Sequence, residues 1–117
     1  MSAALWLRGF ALTLAVEEAV AVPLLASVEP SKLRRAMAVL IVNLATHPLV
    51  WFFFTHLGWS RAAVIGSAEG WAFGFEIVAY RVIFWNATWQ RCAVVSVAAN
   101  LASYALGIVA NAWGLLG

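Results

Sequence analysis

The chain has five acidic residues, and four of them, Glu17, Glu18, Glu69 and Glu76, stand inside runs of apolar residues rather than among other charges. Glu69, Glu76 and Tyr80 are spaced by seven and four residues, which puts them on one helical face with about two turns between the carboxylates. Asn43, Thr46 and His47 share another face, and Asn100 and Ser103 a third. Carboxylates carry charge, amides and hydroxyls supply dipoles, and histidine titrates near neutral pH, so such a set can bind and relay protons or cations. The candidate ion- or proton-binding residues are therefore Glu17, Glu18, Asn43, Thr46, His47, Glu69, Glu76, Tyr80, Asn100 and Ser103. Two prolines add to the case. Pro48 cannot donate to the carbonyl of Leu44, nor Pro23 to that of Ala19, so each leaves a backbone oxygen open within a turn of an ionisable residue.

The elements that carry these residues follow from composition. The 117 residues are 65% hydrophobic and 10% charged, against roughly 45–50% and 25% in a soluble domain. Crossing the hydrocarbon takes about 20 residues per helix. Hydropathy predicts four transmembrane helices, near Leu7–Ser27, Ala36–Leu57, Ala63–Trp85 and Arg91–Trp113, with the first retained rather than removed as a signal peptide. The fold class expected is thus an all-α integral membrane protein in a single transmembrane domain. Short connections make sequential helices antiparallel neighbours.

Lys32, Arg34, Arg35, Arg81 and Arg91 cluster at the first and third connections, while the opposite side has Arg8 and Arg61. The positive-inside rule then places a multi-pass chain in the cell membrane with both termini non-cytoplasmic, and Trp6, Trp59, Trp113, Trp85 and Trp89 fall at the two interfaces.

The chain also resembles itself. Arg34 is followed nine residues later by Asn43-Leu44-Ala45-Thr46, and Arg91 nine residues later by Asn100-Leu101-Ala102-Ser103, an offset of 57. With one residue of slippage Glu18 aligns with Glu76. Two parallel-repeat helical hairpins, residues 7–58 and 63–115, would follow, with one central layer of Glu18, Asn43, Glu76 and Asn100. On helix 3, Gly66, Gly70 and Gly74 form a stripe that lets another backbone approach closely, so this helix is expected to pack centrally.

Three function classes fit. A proton- or cation-translocating transporter or channel subunit uses the buried carboxylates and, with four spans, requires a homodimer or higher homo-oligomer. A membrane-embedded accessory or assembly subunit uses the same groups to bind partner helices. A metal-dependent intramembrane enzyme would hold a metal on Glu17, Glu18, His47 and Glu76. Glu17-Glu18 and Phe52 to His56 are similar to the EExxxR and FxxxH motifs of the CAAX-processing membrane proteases, but Val22 stands where the arginine belongs and no third histidine motif follows. Cys92 is the single cysteine, no cofactor motif is present, and the few cations form no nucleic-acid footprint. The expected partners are the lipid bilayer, further copies of the chain, and protons or cations.

Overall fold

A computed structural model describes residues 3–48, 53 and 56–114. The protein is all-helical, with α1 (Ala3–Leu24), α2 (Lys32–Pro48), α3 (Arg61–Ile83) and α4 (Trp89–Ala112). Two of the four, α3 and the Trp89–Ala110 part of α4, are long and apolar enough to cross a membrane. Helix α1 has the length but holds Arg8, Glu17 and Glu18. Helix α2 runs for 17 residues to Pro48, and residues 49–52, 54 and 55 of the expected second span lie outside the described residues.

Local chemistry explains the boundaries. Three helices begin at a hydroxyl side chain that accepts from the amide three residues on: Ser31 from Arg34 at 3.3 Å, Ser60 from Ala63 at 3.2 Å and Thr88 from Arg91 at 3.1 Å. Each cap satisfies an amide that has no partner inside the helix. These caps start α2, α3 and α4 two to four residues earlier than hydropathy predicts, because polar first turns are stable when capped. Helix α1 ends at Leu24, one residue after Pro23. Ala26 reaches back to Pro23 at 3.1 Å and Val28 to Leu25 at 3.0 Å, a tightening into three-residue turns.

Arg35 completes this end. Its Nη1 donates to the carbonyl of Val22 at 2.6 Å and its Nη2 to that of Pro30 at 3.5 Å, and the side chain is buried. A cation at a helix C-terminus meets both the open carbonyls and the negative end of the dipole. Arg35 is thus a structural cap for α1 as well as one of the cations at the first connection.

The helices form a four-membered ring in chain order, closed by α1 against α4, which is its most extensive contact, whereas α2 and α3 meet least. Asn86 Nδ2 donates to the Val28 carbonyl at 3.1 Å, which ties the first and third connections together at one end of the bundle. Ala21, Leu25, Val39, Val42, Tyr80, Phe84, Cys92, Val95 and Ala99 form the core on that side. The longest dimension is 39 Å.

Helix α3 has two neighbours like the others, which corrects the expected central position. Its buried stripe is Ala68, Ala72, Glu76 and Tyr80. Gly66, Gly70 and Gly74 precede three of these by two residues, about 200° around the helix, and so face outward. A Cβ at any of the three would meet nothing within 4 Å. Among the described residues, the stripe packs against no other helix.

The outside of the ring is apolar. Val82 is 73% exposed and Trp85 78%, and Leu33, Val78, Leu101 and Ile108 are exposed as well. The polar residues Glu17, Asn43, Thr46, Glu76, Ser96 and Asn100 are inside.

Candidate functional site

Glu76 lies on the buried stripe of α3 at 2% exposure. Asn100 on α4 donates its Nδ2 to Glu76 Oε2 and to its own helix at the Ser96 carbonyl, 2.8 Å. Ser96 Oγ lies 3.1 Å from the Phe73 carbonyl and 3.4 Å from the same Glu76 oxygen. The spacing of Ser96 and Asn100 puts both on one face of α4, where the Asn100 amide donates to one carboxylate oxygen and the Ser96 hydroxyl lies between that oxygen and the Phe73 carbonyl.

Asn43 on α2 repeats half of this geometry. It is fully buried, and its Nδ2 donates to the Val39 carbonyl at 2.8 Å, four residues back, as Asn100 does. The hydroxyls that follow also bond backwards: Thr46 Oγ1 to Val42 at 2.9 Å, and Ser103 Oγ to Asn100 at 3.3 Å. The acid that meets Asn43 is Glu17, 1% exposed. Glu17 Oε1 and Asn43 Oδ1 are both buried and have no hydrogen-bond partner.

Glu18 is only half-buried, so Glu17 replaces it in the expected central layer. The reason is the helical step: adjacent residues point about 100° apart, and α1 turns Glu17, Ala21 and Leu25 inward. The layer is Glu17, Asn43, Glu76 and Asn100. Glu17 and Glu76 act electrostatically on each other, and half-buried Glu69 acts on both. Tyr80, 1% exposed, sits a turn from Glu76 within the apolar core and within reach of its charge.

Other candidates fall elsewhere. The His47 ring packs edge-on against Phe10, centroids 5.4 Å apart at 82°. Among the described residues, no group of three His, Cys, Asp or Glu side chains is placed to hold a metal, so Glu17, Glu18, His47 and Glu76 do not assemble the centre that the enzyme reading needs. Thr46 and Ser103 spend their hydroxyls on their own helices, and Gly66, Gly70 and Gly74 lie on the outer face. Between α2 and α3 runs an apolar groove of about 300 Å³, lined by Ile41, Ala45, Phe75, Val78 and Val82 and by no carboxylate.

Ser96 is a further residue that the structure brings to this site. The signal was there, since it stands one turn before Asn100 on the polar stripe of α4. No protein-family model, curated protein or solved structure matches this chain.

Proposed function

We propose that the chain crosses the membrane four times, as two repeated hairpins of the same sense with both termini on the non-cytoplasmic side, and translocates protons or cations through the layer of Glu17, Asn43, Glu76 and Asn100. The observation that carries this reading is the pair of buried carboxyls, Glu17 and Glu76, near enough to act electrostatically on each other inside a bundle whose outer surface is apolar. A charge at the bilayer centre costs about 2.5–3.5 kcal/mol even on the lenient insertion scale, so two in so short a chain call for a use. The matched bonds of Asn43 and Asn100 support the repeat. Four helices enclose little of a path, which favours a homodimer or higher homo-oligomer, and the outward glycine stripe of α3 offers it a surface.

A second reading, an accessory subunit that binds partner helices, is favoured by one observation: Glu76 is held by Asn100 and Ser96, as a structural contact would be. The two separate in liposomes that contain the purified protein and a pH-sensitive dye. Flux that is lost in Glu76→Gln supports translocation. Absence of proton and cation flux from well-folded protein supports the accessory role.

A further inference from the structure

The groove between α2 and α3 lies apart from the layer of carboxyls. Its lining includes Ala45 and Ala79, side chains too small to close the gap between the two helices that meet least. The space of about 300 Å³ is lined by apolar side chains throughout, and Ile41, Val78, Val82 and Ile83 are exposed along it. A helix, about 10 Å across, does not enter a space of this size. An acyl chain is one methylene wide and does.

One end of the groove is cationic. Arg34 precedes Ala38 by four residues, Ile41 by seven and Ala45 by eleven, so it continues the groove's stripe on α2, about 10 Å beyond Ile41. That is the end of the bundle where Asn86 ties the first and third connections together, and α3 brings Ile83 to it. Lys32, Arg34 and Arg91 are exposed there, and Arg81, in the last turn of α3, lies 5.5 Å from the centre of the Trp89 ring. Among the described residues, no carboxylate forms an ion pair with any of these four cations. Glu29, the acid of the first connection, accepts the Ser31 amide at 3.1 Å. The positive charge is left without a counter-charge from the chain, and a phosphate matches it, since a guanidinium donates to two phosphate oxygens at once.

We propose that the groove binds one anionic phospholipid, with an acyl chain along Ile41, Ala45, Phe75, Val78 and Val82 and the headgroup phosphate on Arg34. This rests on the membrane-crossing reading above and not on ion movement. Clefts between membrane helices with a basic end hold anionic headgroups in this way. The buried chain supplies affinity, and Arg34 supplies the choice of an anionic headgroup over a zwitterionic one.

The test is native mass spectrometry of the full chain in detergent, titrated with phosphatidylglycerol and with phosphatidylcholine of identical acyl chains. One phosphatidylglycerol per chain should be retained ahead of phosphatidylcholine. Arg34→Gln should reduce that preference about fivefold, the effect of one cation on an anionic headgroup. Ala45→Trp, which fills the groove from an exposed position, should lose the retained lipid whatever its headgroup. Inorganic phosphate should not displace it. Equal retention of the two lipids, a preference that survives Arg34→Gln, retention unchanged in Ala45→Trp, or displacement by phosphate alone overturns the assignment. Both substitutions are at exposed positions, and circular dichroism checks that the helices are kept. Flux is not read, so failure here leaves the ion-moving reading standing. Failure of the membrane reading shows separately, as a chain that stays in solution with neither detergent nor lipid.

Discussion

The side chain of Asn100 bonds Glu76 across the α3–α4 interface while its own helix supplies a second acceptor at Ser96, so one amide fixes both a rotamer and a carboxylate. Removing it leaves Glu76 with Ser96 alone. Asn100→Leu should therefore destabilise the folded protein by about 1–3 kcal/mol, the usual cost of stranding a buried polar group. Denaturation in detergent measures it. In a double-mutant cycle with Glu76→Leu, the pair should lose less than the sum of the single changes, with a coupling of about 0.5–3 kcal/mol; strict additivity contradicts the contact.

Arg35 reaches two carbonyls, Val22 and Pro30, with the two arms of its guanidinium. Lysine is a point donor and lacks that fork. Arg35→Lys should then lose most of the cap and Arg35→Met all of it, about 1–3 kcal/mol, with no change of orientation in the membrane. Cysteine accessibility from each side reads the orientation. Inversion by Arg35→Met alone would contradict this.

The outward glycines of α3 separate stability of the chain from assembly. Gly70→Ala meets open space and should stabilise the helix by about 0.8–1 kcal/mol. Gly70→Leu should leave the helices intact but shift an oligomer toward monomer, seen by cross-linking or by light scattering in detergent. An unchanged assembly excludes the stripe as the contact.

Cap residues give a control of modest size. Ser31→Ala and Thr88→Ala each remove the side-chain acceptor at a helix start. Each should cost about 0.5–2 kcal/mol without touching ion movement. A variant that retains its stability but loses flux contradicts a purely structural role.

Four helices were legible because apolar runs separated by Pro, Gly and Ser turns dominate the composition. Glu76 and Asn100 were legible from spacing, each on a face that period 3.6 defines. The choice between Glu17 and Glu18 was not, since both stand in the same apolar run and only the rotation of α1 in the ring decides which one turns inward. The capping contact of Arg35 was not legible for a related reason: charge counts do not reveal that a helix end nearby leaves a carbonyl open. The glycine stripe gave its residues but not its partner. Close approach needs small residues whether the neighbour is in the same chain or outside it, and the buried Ala68, Ala72 and Glu76 on the opposite side of α3 settle the direction.

The central claim is that paired carboxyls at membrane depth move charge. Current across a planar or supported bilayer that contains the protein tests it most directly, with a pH gradient as the driving force. The account predicts a current that is present with the wild-type protein and is abolished in Glu17→Gln and in Glu76→Gln while both variants stay folded. A current that persists in both variants, or no current from correctly inserted wild-type protein, contradicts it.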